Sequence, residues 1–286
     1  MKRSKTEGIL NKIAENFGQT LTKFSPLTGG DINQVYLLEC GSEKFVVKLN
    51  DSSRFPGMFE AEKRGLQELA NANPIDVPEA LDCGIINQQS YLLLEYKSSA
   101  PKISSFWETF GEQLAFLHQK TSDSFGFEKD NYIGSLPQYN DSKNSAAEFY
   151  IEMRLKPQVK MAFDQGFRLD VPNSFYKNCE NLIPDEPPAL IHGDLWNGNF
   201  LTNEYGKPCL IDPAVAYAPR EMDLGMMKLF GGFDTKLFQT YNEVNPLQKN
   251  WEERIPLWQL YFLLVHLNIF GSGYHSQVAS IFKKFS

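Results

Sequence analysis

The hydrophobic pattern changes character about a third of the way along the chain, and each regime predicts a different architecture. Ile9, Leu10, Ile13 and Phe17 recur at helical spacing and predict a short amphipathic helix. Three strand-like runs follow, LTKFSPL, QVYLLEC and FVVKLN, joined by the turn-rich segments TGGDIN and GSEK. A helix from about Met58 to Ala70, a loop marked by Pro74 and Pro78, and the runs GII and YLLLEY around the turn NQQS come next. Together they predict an antiparallel sheet of five strands with one inserted helix. After Tyr96 the composition shifts: KSSAP reads as a linker, and Phe106, Phe110, Leu114 and Leu117 mark a helix. The remainder is mainly helical, except for short strands in ALIHGD, NFLTN and PCLIDP around the turn EYGK. The expectation is an α+β protein with an N-terminal lobe over residues 1–96 and a C-terminal lobe over 97–286.

Composition narrows the class. At 286 residues the chain is long enough for one large domain or two sharing an interface, with a sizeable core. Hydrophobic residues at 42% and charged residues at 22% are the balance of a folded, soluble protein. The net charge of -7 provides no positive field for a polyanion, so nucleic acid is not an expected partner. Cys40, Cys83, Cys179 and Cys209 are too far apart for a C-x-x-C site and read as reduced thiols of a cytoplasmic protein. The basic start MKRSKTEGIL runs into NKIAENFG rather than an apolar signal region. The most apolar segment, Ile255 to Phe270, is interrupted by Gln259, His266 and Asn268 and is too short for a membrane span.

The segment LIHGDLWNGNFL concentrates the candidate chemistry. Asp194 and Asn199 stand five apart, the D-x-x-x-x-N spacing of a kinase catalytic loop, and Asp212 follows at the end of an apolar strand. Phosphoryl transfer needs a carboxylate to orient the attacking hydroxyl and oxygen ligands for magnesium on the triphosphate. Asp194 fits the base, and Asn199 with Asp212 the metal pair. Any one of them alone would read as a turn residue capping neighbouring strands. Nothing in this role requires Asp194 to have a raised pKa.

Lys48 lies on a strand, with Val46 on the same face and Val47 and Leu49 on the other. A strand lysine alone is usually solvated, but a kinase needs one on the phosphates and a small aliphatic residue over adenine. On the following helix Glu60 shares a charged face with Lys63, Arg64 and Glu68, whereas Glu62 falls on the apolar stripe with Phe59 and Leu66. An inward carboxylate calls for a buried cation, so helical phase pairs Glu62 with Lys48. Gly29 and Gly30, in the turn before the lysine strand, supply backbone able to approach phosphates, though a double glycine between strands is also an ordinary hairpin turn. Glu95, Tyr96 and Lys97, at the lobe boundary, are placed to offer backbone groups to adenine. His118 and His266 sit on apolar helices and read as core histidines, as Tyr261, Phe262 and Phe270 read as core aromatics. His192, two before the base, reads as a buttress of the loop on its substrate side.

With these residues in place the chain resembles the bilobal protein-kinase-like fold, and within it the fructosamine kinase (ketosamine-3-kinase) family. HGDLWNGN resembles that family's H-G-D-L-W-x-G-N, and MFEAEKRGL, DNYIGSLPQYN, FYIEMRLKPQ and LVHLNIFGSGY resemble further family segments. The resemblance implies ATP- and magnesium-dependent phosphorylation of the 3-hydroxyl of a ketosamine, free or on a protein lysine, as deglycation repair. It implies Asp194 as base, Asn199 and Asp212 on magnesium, and Lys48 with Glu62 on ATP. Trp196 reads equally as a packing residue or as an apolar wall for the substrate, and His192 joins it on the substrate side. Two positions depart from the family: Ala146 stands where a tryptophan is common, and Asp31 where some relatives carry a cysteine, so no disulfide switch is expected there.

Rival readings remain open at this level. An aminoglycoside or choline kinase would need an acidic pocket, to which Glu221 and Asp223 could contribute. A protein kinase is disfavoured because Gly193 replaces the arginine of H-R-D and APRE begins six residues after Asp212, leaving no activation segment. A nucleotide-binding scaffold without catalysis is a third reading, although every required polar residue is present.

Overall fold

A computed structural model describes residues 2–27 and 32–286. The expected glycine turn, with Gly29, Gly30 and Asp31, lies outside the described residues. Helix α1 (Lys2–Asn16) precedes strands β1 (Lys23–Pro26), β2 (Gln34–Cys40) and β3 (Glu43–Asp51). Helix α2 (Met58–Ala72) and strands β4 (Ala80–Ile86) and β5 (Gln89–Glu95) follow. The five strands form one antiparallel sheet in the order β1-β2-β3-β5-β4.

Strand alternation divides the side chains of this sheet between two cores. Phe45, Val47 and Leu49 of β3, with Tyr91 and Leu93 of β5, pack against Ile9, Leu10 and Ile13 of α1. Val46, Leu92 and Leu94 face the other way and join Phe59, Leu66 and Leu69 of α2. Lys48 shares the Val46 face, so its ammonium points toward α2 and away from α1. Removing this much apolar surface from water stabilises the sheet by roughly 25 cal/mol per Å² buried, which fixes the register and thereby the position of Lys48.

The chain continues through α3 (Phe106–Leu117), the hairpin β6 (Asn131–Ile133) and β7 (Leu136–Gln138), and α4 (Ala146–Phe149). A π-helical stretch, Tyr150–Leu155, runs from α4 into α5 (Lys156–Asp164), and α6 (Asn173–Leu182) follows. Next come β8 (Ala189–Ile191), β9 (Phe200–Thr202), β10 (Pro208–Leu210) and β11 (Ala216–Ala218), with β8 paired to β11 and β9 to β10. Helices α7 (Glu221–Phe230), α8 (Thr235–Val244), α9 (Trp251–Phe270) and α10 (His275–Lys284) complete the fold, with a 3-10 turn, Ser272–Tyr274, between the last two.

The core under α2 is continuous with Phe106, Phe110 and Leu114 of α3 and with Leu190, Leu195, Leu210 and Val215 of the short strands and loops. The catalytic-type loop is therefore pinned from below by apolar side chains. Gly65 lets α2 approach closely, since a Cβ there would sit 3.3 Å from the Val215 side chain. A separate core gathers around α9, which is apolar on every side and buries Leu257, Trp258, Leu260 and Leu264. Among the described residues no helix is long and apolar enough to cross a membrane, and all four cysteines are free. Ala146 is buried in the α9 core and is not among the residues that line the cleft.

Candidate active site

Two structural necessities shape the loop between β8 and β9. Gly193 has φ +85, and a Cβ there would lie 2.0 Å from the Ala214 carbonyl oxygen. Any side chain would force the Asp194 loop and the Asp212 loop apart, which gives the physical reason for glycine where a protein kinase has arginine. Asp212 itself has φ +56, an uncommon conformation for a non-glycine residue. Its backbone is held by its neighbours: Ile211 N donates to Asn199 O (3.1 Å) and Ala214 N to His192 O (2.9 Å).

His192 is a correction to the substrate-side expectation. Its ring is fully buried, Nε2 donates to Ile211 O at 2.8 Å, and Nδ1 accepts from the Asp194 backbone amide at 3.3 Å. Burial lowers its pKa below the usual histidine value and keeps the ring neutral. It ties the two loops together and does not face the cleft.

Asp223 supports the same loop from α7. Its Oδ2 accepts from His192 N (2.7 Å) and its Oδ1 from Gly193 N (2.8 Å), and Oδ2 also meets His118 Nε2 at 3.2 Å. Burial works against its charge, but His118 and the loop amide hold its pKa below the usual carboxylate value. Glu221 is likewise buried, paired to Arg254 at 2.5 Å and accepting from Trp258 Nε1 at 2.7 Å. Neither acid lines the cleft, so they form no acidic pocket for a cationic substrate.

Between the sheet and the helical part lies a cavity of about 540 Å³ that contains Lys48, Glu62, Asp194, Trp196, Asn199 and Asp212. Lys48 Nζ stands 2.5 Å from both Glu62 Oε1 and Asp212 Oδ1. Burial disfavours its charge, but the two carboxylates outweigh burial and raise its pKa. Burial pushes the Glu62 carboxyl up against the pull of Lys48, and Asp212 adds to the rise. Asn199 donates its side-chain amide to Asp194 O (2.8 Å) and Oδ2 (3.1 Å), which leaves its own Oδ1 open.

The Asp194 carboxyl is raised to about 7, first by burial and then by Asp212, with Asn199 opposing. No special elevation was required by the sequence argument, so this is a feature only the packing reveals. Glu62 and Asp212 share Lys48 and Asp194 adds a third carboxylate to the cavity, so the cleft is short of positive charge. A cation held by Asp212 Oδ2 and Asn199 Oδ1 would relieve that, and an all-oxygen donor pair suits a hard ion such as magnesium. Among the described residues no cluster of three His, Cys, Asp or Glu forms a protein-only metal cage.

Val46 and Glu95–Lys97 do not line this cavity. Val46 lies opposite Leu94 in the sheet and packs into the α2 core. Glu95 N donates to Glu79 O at 2.9 Å, while Lys97 Nζ bonds Asp76 and Glu95, each at 3.0 Å. They gather beyond Val46, at the start of β3 and the end of β5, where the chain crosses out of the sheet.

The far wall of the cavity was not anticipated. Met226 and Phe230 of α7, Phe262, His266, Ile269 and Phe270 of α9, and Tyr274 line it, faced by Tyr132, Ile133 and Gly134. The His266 ring meets Phe230 at 5.0 Å, Tyr274 at 5.1 Å and Phe270 at 5.5 Å between centroids. Its Nδ1 donates to Phe262 O at 2.7 Å, so Nε2 of the neutral ring is an acceptor. Phe270 is 55% exposed and His266 is half-buried against the cavity, so neither is a core residue, whereas Tyr261, Phe262 and His118 are. Trp196, 39% exposed, lies over Gly198 and borders the cavity, so it both packs and forms a wall.

A twisted sheet over a helical body, with a lysine–glutamate pair above an aspartate–asparagine loop, defines a kinase-like phosphotransferase. The aminoglycoside phosphotransferase APH(4)-Ia shares the fold at a TM-score of 0.63 and 14% identity, covering 99% of each chain. A sequence profile of the fructosamine kinase family matches residues 5–286, and the chain belongs to that family. It is, with the family, a phosphotransferase that acts on a hydroxyl of a ketosamine. A probable ketoamine kinase of Enterococcus faecium is 36% identical over 92% of this chain and 95% of its own. The chloroplastic protein-ribulosamine 3-kinase of Arabidopsis thaliana is also 36% identical, over 94% of this chain and 84% of its own. The crystal structure of a candidate fructosamine-3-kinase from Haemophilus somnus superposes at a TM-score of 0.87 with 29% identity, covering 96% of each chain.

Proposed function

We propose that this protein transfers the γ-phosphoryl group of ATP to the 3-hydroxyl of a ketosamine, with Asp194 orienting the hydroxyl for in-line attack. The observation that carries the reading is that Asp194, Asn199, Asp212 and the Lys48–Glu62 pair share one cavity with an aromatic wall. Lys48 binds the α and β phosphates and Glu62 keeps it in place. Asn199 and Asp212 would hold magnesium, which would supply positive charge to the phosphate oxygens. Val46 covers adenine, Gly29 and Gly30 approach the phosphates, and the backbone of Glu95, Tyr96 and Lys97 addresses the base edge. This divides the work between a nucleotide lobe over 1–96 and a catalytic lobe over 97–286.

Substrate lies against Trp196 and the aromatic wall, with the 3-hydroxyl at Asp194 and the amine toward His266 and Phe270. The chain's own chemistry is positional: Asp194 accepts the hydroxyl proton, and the wall excludes water from the attacking face. The 3-phosphorylated product is unstable and sheds its sugar, which makes the role deglycation repair, in the cytoplasm, with no nucleic acid or membrane partner. Among the described residues no acid stands on the far wall, which disfavours polycationic aminoglycosides as acceptors.

The test is magnesium-dependent ADP release from ATP, with a ribulosamine and a fructosamine of a blocked lysine offered beside choline and an aminoglycoside. Turnover confined to the ketosamines supports the proposal. Turnover of choline or the aminoglycoside alone keeps the phosphoryl transfer and discards the acceptor.

A further inference from the structure

Two of the segments that accompany the catalytic loop, DNYIGSLPQYN and FYIEMRLKPQ, supply no catalytic group, yet they meet in one buried network. Arg154, from the π-helical stretch, is 1% exposed and has no carboxylate partner among the described residues. Its Nη1 donates to Tyr139 O at 2.5 Å and its Nη2 to Asn140 Oδ1 at 2.8 Å, while the rings of Phe149 and Tyr261 stack nearby. Burial lowers its pKa to about 10. Asp130 acts on it only through space, since its Oδ1 accepts from Asn140 N at 2.8 Å, and the buried Nε has no hydrogen-bond partner among the described residues. Holding a cation on such terms is unfavourable, and replacing one by an apolar side chain of like volume is often neutral or stabilising. The arginine therefore calls for an explanation other than stability.

The direction of every hydrogen bond in the network is fixed by its two ends. Arginine can only donate, so Asn140 presents its oxygen to Arg154 and its amide to Asn131 Oδ1, at 3.0 Å. Asn131 must then turn its own amide outward, where it donates to Val215 O at 2.8 Å. Gln138 accepts from Tyr261 Oη at 2.7 Å, and its amide donates to Asn131 Oδ1 at 2.8 Å and to Ala214 O at 3.0 Å. Backbone carbonyls can only accept, so the chain runs without a frustrated link from Arg154 to the carbonyls of Ala214 and Val215. Those are the second and third residues after Asp212, whose left-handed φ needs support from its surroundings.

We infer that Gln138 and Asn131, oriented by Arg154 through Asn140, are positioning residues that hold the Asp212 loop in its active shape. The inference rests on the reading in which Asp212 holds the nucleotide's magnesium. The same hairpin carries Tyr132, Ile133 and Gly134 on the cavity wall, so the element that touches substrate also fixes the metal-side aspartate.

The test is calorimetric binding of a non-hydrolysable ATP analogue with and without magnesium, beside kcat and a thermal melt. The variants are Gln138→Met, which keeps the volume and removes every polar contact, and the pair Arg154→Lys and Arg154→Met. Tyr217→Phe, which loses only its bond to Glu68, serves as a stability control. Gln138→Met is expected to lose about tenfold of the magnesium-linked gain in analogue affinity, with kcat falling by a similar factor, as for outer partners of metal ligands. Metal-free affinity stays within about twofold, because Lys48 and Glu62 are untouched. Arg154→Lys is expected to retain more of the gain than Arg154→Met, since lysine keeps a donor toward Asn140. Folded variants that melt earlier but keep the full magnesium-linked gain and kcat would overturn the inference and leave a stabilising role. If Gln138→Met does not fold, the arginine pair decides on the same readout. A wild-type protein with no magnesium-linked gain at all would instead overturn the metal reading itself.

Discussion

Lys48 and Asp212, 164 residues apart in sequence, meet at 2.5 Å across the cleft, and Glu62 meets the same ammonium at the same distance. One buried cation thus neutralises parts of two carboxylates, one from the sheet side and one from the helical body. In the proposed reading, arriving phosphates would compete for Lys48 and leave Asp212 available to a metal ion, so that the pair would serve as a placeholder in the nucleotide-free protein.

Removing the lysine therefore exposes two costs at once. Lys48→Met leaves Glu62 buried without a cation, which is expected to destabilise the protein by roughly 3 kcal/mol. Adding Glu62→Gln should recover much of this, because the uncompensated charge goes with it. A urea-denaturation cycle over the two single variants and the double variant measures the coupling. Additive losses would show that the two side chains do not share the ion pair described. Turnover should fall in all three variants, since the two that carry Lys48→Met lack the cation for the phosphates and Glu62→Gln leaves Lys48 without the carboxylate that positions it.

Asp194→Asn is expected to abolish turnover with ATP affinity nearly unchanged, and also to stabilise the nucleotide-free protein at neutral pH. Asp194 has a folded pKa of about 7 against an ordinary value of 3.8. The folded state therefore keeps a proton that the unfolded state has lost, so stability falls as pH rises from about 4 to about 7 and then levels off. At roughly 1.4 kcal/mol per unit the loss amounts to a few kcal/mol. Asparagine carries no such penalty. Melting curves at pH 4.5 and pH 8 should show the variant gaining far more on wild type at the higher pH. An equal difference at both would mean that the carboxylate is not strained by its site.

The aromatic wall gives a kinetic prediction. His266→Phe keeps the ring cluster and removes the Nε2 acceptor, so the KM for a ketosamine should rise about tenfold, the worth of one hydrogen bond to a charged group. The KM for ATP should stay as it was. Steady-state kinetics with each substrate varied in turn make the distinction. A rise in the ATP KM alone would move His266 off the acceptor side.

How much of this was legible depended on whether a residue sat in a periodic element. Lys48 and Glu62 could be paired because strand alternation and helical phase assign each a face, and their contact follows from those two periods. His266 could not be placed, because α9 is apolar on every side and no phase marks the side that opens into a cavity. The hairpin of β6 and β7 has strands of three residues, too short to leave a period. Yet it supplies both the cavity wall and the support for Asp212. Glu221 and Asp223 near the start of α7 had the look of pocket acids. Only tertiary packing shows that their partners, Arg254 and the Gly193 amide, lie inside. His192 failed for the same reason: a loop residue has no face until the loops around it are known.

Asp223 offers the sharpest distinction between shape and charge at this site. Each of its oxygens accepts a backbone amide, Gly193 N at Oδ1 and His192 N at Oδ2, and Oδ2 also meets His118. Asparagine has the same outline but only one oxygen, so either rotamer turns an NH2 group toward a backbone N–H that can only donate. Asp223→Asn should therefore lose at least one charge-assisted hydrogen bond and leave a buried donor unpaired, for a cost of about 3 kcal/mol. Because the misfit lies at His192 or at Gly193, within two residues of Asp194, kcat should fall with it. Nucleotide affinity should hold, since Lys48 and Glu62 are supported by the sheet and α2. Denaturation, kcat and nucleotide titration on this one variant separate the outcomes. Full kcat at reduced stability would show that the loop keeps its shape without the second oxygen, and that the Asp194 position is fixed by Gly193 and His192 alone.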